Sequence, residues 1–296
     1  LSMLVLETSL GRIRIGTEGA DRYPGGDLLV IDPGGDDRYE GPNAAAAGKS
    51  RPVSSVLDLS GNDTYEGGEG PGTLACGLLG VGVLVDLAGN DRYHHQGFGL
   101  GAGLYGMGAL LDRAGDDVYE TERGWGQGMG CNGAGMLVDR AGNDRYSCRS
   151  ESQGYGTTRG AGLLLDAAGN DVYLGLPDGP TAPEHAFQSN ALSLCQGCGF
   201  GRRADSTDGR SLGGGFGIFV EMAGDDRYDA GCYSGGAGYW WGMGIFEDFA
   251  GNDTYDRSFY SHGASPHFGV GVCVDRAGDD TYNPVNGTGR LTLGGA

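Results

Sequence analysis

The stretch GVGVLVDLAGNDRY (residues 80–93) decides the fold of this chain. Its first half alternates strictly, with Val81, Val83 and Val85 on one parity and Gly80, Gly82 and Leu84 on the other. A period of two is the signature of a strand. Its second half, AGND, is turn chemistry: glycine tolerates unusual backbone angles, and Asn or Asp bonds its own following backbone. Tyr93 then restarts an extended segment.

The same design recurs in GAGMLVDRAGNDRY (133–146), GAGLLLDAAGNDVY (160–173) and GVGVCVDRAGDDTY (269–282). Aligned on Asp-x-x-Gly-Asn/Asp-Asp-x-Tyr, nine copies begin at Asp32, Asp58, Asp86, Asp112, Asp139, Asp166, Glu221, Asp248 and Asp275. Successive starts differ by 26, 28, 26, 27, 27, 55, 27 and 27 residues. The 55 reads as two periods, one of which has lost its motif. A second Gly-alternating run in each unit, such as GFGLGAG (97–103) or GWGQGMG (124–130), supplies another strand. Short strands separated by turns at a fixed period predict an all-β parallel β-helix, or β-solenoid, of about 27 residues per coil and roughly ten coils. Because each coil needs its neighbour, residues 1–296 form one domain.

The all-apolar parity (Val81, Val83, Val85; Ala134, Met136, Val138) is expected to face the interior. The other parity, ending in Leu84, Leu110, Leu137, Leu164, Phe219 and Phe246, is then expected to form an exposed ridge. Such a Gly/Leu face, or the C-terminal coil edge, would contact a further subunit or another part of a longer chain. The stretch 174–212, with Pro177, Pro180 and Pro183, is expected to be an irregular insertion or a motif-less coil. Its Arg202, Arg203, Asp205, Asp208 and Arg210 should face outward.

The composition of 296 residues includes 63 Gly without a collagen triplet period, and a formal charge of −19. That charge argues against nucleic acid as a partner. No apolar run approaches membrane-spanning length. The start at Leu1 without a basic and apolar leader suggests a processed product or a fragment. Seven cysteines lie out of register with the repeat and read as buried thiols.

The acids are not spread evenly. The first motif column holds eight Asp and Glu221; the last holds Asp37, Asp63, Asp91, Asp117, Asp144, Asp171, Asp226, Asp253 and Asp280. Asp36, Asp116, Asp225 and Asp279 add to the middle column. The motif thus carries 22 of the 39 acids, so the acidic excess sits at one corner of the stack. Like charges at coil spacing repel by roughly 3–4 kcal/mol per pair at an effective dielectric of 20. Turn amides, the Arg preceding Tyr (Arg38, Arg92, Arg145, Arg227) or bound cations should offset this. Carboxylates and turn carbonyls form a hard oxygen set suited to Ca²⁺.

GNDTY (61–65, 251–255) and AGND (88–91, 141–144, 168–171) resemble the latter part of the RTX nonapeptide of calcium-binding β-rolls. The matching positions are Gly61, Asp63 and Tyr65 and their equivalents in each copy. The resemblance implies Ca²⁺ held between adjacent turns by these aspartates, with the large residue pointing inward. It covers about eight residues in each 27. An Asp replaces the first Gly of the nonapeptide, and only one corner per coil carries the pattern.

Asp32, Asp58, Asp86, Asp112, Asp139, Asp166, Asp248 and Asp275, with Asp37, Asp63, Asp91, Asp117, Asp144, Asp171, Asp226, Asp253 and Asp280, are therefore the candidate ligands. The functional expectation is a non-enzymatic structural or binding solenoid of a secreted or surface protein, its acidic corner stabilised by calcium. The competing expectation is a carbohydrate-active enzyme acting on a polysaccharide through the variable face that carries His94, His95, Trp125, Arg149, Glu151, Tyr155, Tyr233, Tyr260, His262 and His267. An enzyme should gather some of these histidines with acids in one groove. Gly101-Ala-Gly103-Leu-Tyr-Gly106 matches a dinucleotide pattern but precedes no helix, and Cys195-x-x-Cys198 is half of a zinc pattern without its second half.

Overall fold

A computed structural model describes residues 2–68, 70, 72–175, 192–257 and 260–284. Nearly all of its regular structure is β, with one short 3-10 turn at Gly48–Ser50. Each coil runs through three parallel sheets in turn. The first sheet has eleven strands, including Val53–Asp58, Val81–Val85, Met107–Leu111 and so on to Val270–Asp275. The second has ten, from Arg22–Tyr23 to Thr281–Pro284, and the third has seven, from Asn43–Ala47 to Gly238–Tyr239. Pairing keeps the repeat in register, so Val83 faces Ala109 and Tyr93 faces Tyr119. At the N-terminal end the parallel order stops. Leu4–Thr8 and Gly11–Ile15 form an antiparallel hairpin that caps the first sheet.

Which parity faces inward is the reverse of the sequence expectation. Leu84, Leu110, Leu137, Leu164, Phe219 and Phe246 are completely buried inside their own coils. Val81 is 37% exposed, and Val83 and Val85 are half-buried on the outer surface. The reason is the shape of the coil. Near the start of the first-sheet strands from Val81–Val85 onward the third sheet lies so close that no side chain fits between them, and Val53–Asp58 places a small side chain, Ser54, at that position. A Cβ on Gly135 would stand 1.9 Å from the Met129 carbonyl oxygen, and one on Gly103 would stand 2.0 Å from that of Ala134. Inward positions are therefore Gly at the narrow edge. They become Leu or Phe only where the cavity widens toward the motif corner. The expected interface through the Leu84 to Phe246 column falls with this assignment, because those side chains meet their own opposite wall.

At the wide edge the tyrosines fill the space. Tyr23, Tyr39, Tyr65, Tyr93, Tyr119, Tyr146, Tyr173, Tyr228 and Tyr255 are buried and stack one coil on the next, with centroids 4.4 to 5.2 Å apart. Each stacked pair adds about 0.5–1.5 kcal/mol beyond its buried area. The motif glycine serves this stacking and, at Gly61, Gly115, Gly224 and Gly278, also a backbone with φ of 154 to 158° that other residues rarely adopt. A Cβ on Gly89 would stand 1.5 Å from the Gly61 carbonyl oxygen, and one on Gly115 equally close to that of Gly89.

The 55-residue interval is not two coils. Ala161–Asp166 pairs directly with Phe216–Glu221, and Val172–Gly175 with Arg227–Ala230. Among the described residues no further strand stands between these pairs. Part of the extra residues, 201–212, make an outward excursion closed by a bridge between Arg202 and Leu212. Arg202, Arg203, Asp205, Asp208 and Arg210 are exposed on it, with ion pairs Arg202–Asp208 and Arg203–Asp205. The Pro-rich part, 176–191, lies outside the described residues.

Candidate metal centre

The two acidic columns run side by side along the wide edge, beneath the tyrosine ladder. From Asp32 to Asp253 every member is at most 3% exposed, Glu221 included, while Asp275 and Asp280 in the last described coil are half-buried. The acidic corner is a dry seam.

The turn explains the first column. Its Oδ1 accepts the backbone N–H two residues on, as in Ala88 to Asp86 at 3.2 Å and Ala141 to Asp139 at 3.1 Å. This is an Asx turn. Its Oδ2 accepts the tyrosine hydroxyl of the preceding coil: Tyr65 on Asp86, Tyr93 on Asp112 and Tyr119 on Asp139, each at 2.6 Å. Both oxygens of these first-column aspartates are thereby engaged, whereas at Asp248 the Oδ1 is buried without a partner. Burial drives the tyrosine hydroxyls far above their ordinary range, so they stay protonated donors.

The last column differs. Its Oδ1 accepts the backbone N–H of its counterpart one coil earlier: Asp63 N–H donates to Asp91, Asp91 to Asp117 and Asp117 to Asp144, each at 2.6 Å. Its Oδ2 accepts a tyrosine hydroxyl only at Asp171, from Tyr173 at 3.4 Å, and at Asp226, from Tyr228 at 3.3 Å. At Asp37, Asp63, Asp91, Asp117, Asp144 and Asp253 that oxygen is buried and orphaned. An orphaned carboxylate oxygen in a dry interior is costly unless a proton or a cation meets it. Burial first, and neighbouring carboxylates next, push these acids up, to about 7 at Asp63, about 9 at Asp117 and about 10 at Asp91 and Asp144. Carboxylates of the two columns converge in threes. Asp37, Asp58 and Asp63, then Asp63, Asp86 and Asp91, then Asp91, Asp112 and Asp117 each place ligand oxygens within 4.8 Å of one another.

The arginines take no part. Arg38, Arg92 and Arg227 point outward and pair with Glu40, Glu120 and Asp256. Asp36, Asn62, Asn90, Asp116 and their successors form an exposed ladder beside the seam, each side-chain oxygen accepting the next coil's backbone N–H. Buried polar groups that the repeat does not announce line the opposite side of the interior. Gln127 donates to the Tyr119 and Ser147 carbonyls, and Arg257, 2% exposed, lies over the Phe246 ring and donates to Gln196. The only hint was the recurring Gln-Gly pair at 127–128, 153–154 and 196–197.

The histidines do not meet. His94 sits on the outer second sheet between Glu66 and Glu122, at 2.9 and 3.0 Å. His95 is buried beside Thr121 of the next coil. His262 contacts Arg257 near the C-terminal end, and His267 contacts Arg203 on the excursion. Trp125 donates to Glu151, and Tyr155 is buried. Cys195 and Cys198 are buried free thiols, and Gly101 to Gly106 leads into a strand. No family model, no curated protein and no solved structure matches this chain.

Proposed function

We propose that this chain is a non-enzymatic scaffold of a secreted or surface protein whose aspartate seam binds Ca²⁺, one ion to each coil. The observation that carries the reading is the repeated orphan Oδ2 of the last column, aimed into a cluster of carboxylates. A proton could quench one such oxygen, but the repeat supplies two carboxylates in every coil. One divalent cation per coil neutralises that pair along the whole stack. The donors are all oxygen, which suits a hard cation that tolerates irregular coordination. Asp63, Asp86 and Asp91 would hold one such ion, and the same triple recurs up the stack. When bound, the ion supplies positive charge between coils, so that the columns cross-link neighbouring turns instead of repelling them. The likeness to RTX β-rolls supports the same assignment.

The enzyme reading draws less support, because His94, His95, His262 and His267 occupy separate surfaces. Elemental analysis of protein purified without chelator tests the proposal. Several calcium ions per chain are expected. A metal-free protein whose melting is indifferent to Ca²⁺ would leave the seam to protons alone.

A further inference from the structure

The outer side of the first sheet is covered by no other element among the described residues. Its eight strands from Val53–Asp58 to Val270–Asp275 each present three outward positions. Of these 24 side chains only Ser55 and Glu247 are polar, and Glu247 is already paired with Arg276. The middle column runs Val83, Ala109, Met136, Leu163, Ile218 and Ile245, with the small Ala109 buried between its neighbours. The column at the strand starts stands highest, with Phe216 57% and Val270 51% exposed. Eight strands about 4.8 Å apart, with three side chains on a rise of about 3.3 Å, make a flat patch of about 600 Å². That is at or beyond the largest apolar patch of an ordinary monomer, roughly 300–600 Å². Exposed Tyr105, Trp241 and Phe268 extend it at one rim, Met222 and Phe249 at the other.

We infer that this face packs against the same face of a second copy of the chain. Three observations select that occupant. With its rims the patch approaches the roughly 800 Å² per partner that a stable interface buries. The face is almost free of charge while the molecule carries −19, so pairing here brings together a broad surface on which two like-charged copies do not repel. Its ridges repeat at the coil spacing, and an identical sheet with the same twist matches them over all eight strands. Two such sheets pack about 10 Å apart and nearly aligned. A two-fold axis running the copies in opposite directions is the favoured form, because it keeps the two Glu247 carboxylates at opposite ends of the interface. An anionic membrane is a poor occupant for so acidic a chain.

Sedimentation equilibrium of the full chain, with and without chelator, tests this independently of the calcium seam. A dimer is expected in both. Met136→Lys with Leu163→Lys, outward in mid-face, should weaken association by about 100-fold or more, as central interface changes do, while the melting curve holds. Val118→Lys, outward on the second sheet, should leave association unchanged. If the lysine pair unfolds the chain, Met136→Thr with Leu163→Thr keeps strand propensity and should still weaken the dimer about tenfold. A wild-type chain that stays monomeric, a dimer indifferent to both pairs, or monomers that instead float with neutral phosphatidylcholine vesicles would each overturn the inference.

Discussion

The two edges of each coil solve the same problem in opposite ways. At the wide edge the interior is filled by tyrosine and paired carboxylates, every one of which needs a partner. At the narrow edge it is filled almost entirely by backbone, with inward glycines such as Gly135 and Gly82 set against the carbonyls of Met129 and Cys76. The wide edge is therefore strict in chemistry and the narrow edge strict in size. Substitutions should separate the two.

The largest effect is expected at the narrow edge. Gly135→Ala drives a methyl to within 1.9 Å of a backbone oxygen that cannot move aside. It should cost about 3 kcal/mol or more, the upper range for overpacking. Gly213→Ala, where the new Cβ meets only a side-chain carbon at 3.6 Å, should change stability by less than about 0.5 kcal/mol. Equal melting temperatures for the two variants would break the account of the narrow edge.

At the wide edge, Asp117→Asn keeps the oxygen that accepts the Asp91 N–H and removes a buried charge. In chelator it should melt at or above the wild type. In Ca²⁺ it should forfeit about one site's worth of linkage, about 2.7 kcal/mol at a hundredfold excess over Kd. A variant that gains from calcium as much as the wild type would show that Asp117 is not a ligand. Smaller still is Tyr119→Phe, which strips one hydroxyl from the Asp139 carboxylate and should cost about 1–3 kcal/mol by thermal or urea melting. Tyr282→Phe makes the same change at a half-exposed ladder end, where water replaces the lost partner, and should cost less than about 0.5 kcal/mol. No loss at either site would place the ladder's stability in ring stacking rather than in the hydroxyls.

The wide edge was legible in the sequence and the narrow edge was not. Asp86, Gly89, Asp91 and Tyr93 recur because each holds a fixed partner one coil away, so period, parallel stacking and ladder could all be read from spacing. Parity could not. Val81, Val83 and Val85 look like a core by composition, yet the walls approach so closely at Gly82 that the apolar side chains are turned outward. The interval of 55 residues misled for a related reason. Length divisible by the period does not require a coil, and the pairing of Leu164 with Phe219 closes the gap. Gln127, His95 and Arg257 fill interior space that differs from coil to coil, and no periodic signal marks them.

The most direct test of the seam is its melting temperature against pH, measured in chelator and in excess Ca²⁺. In the metal-free chain the last-column carboxylates are held above the unfolded value of 3.8, to about 7 at Asp63 and Asp171 and about 10 at Asp91. The folded chain then binds more protons than the unfolded one between those limits. Its stability is fully present below about pH 4 and is lost as pH rises toward 7 and beyond. The slope is about 1.4 kcal/mol per pH unit for each net proton. Calcium binding needs the deprotonated form, so its stabilisation grows over the same range. The account predicts a melting temperature that falls from pH 5 to pH 8 in chelator and is held or raised by Ca²⁺, the two curves diverging most at pH 8. Curves that coincide at every pH would contradict it.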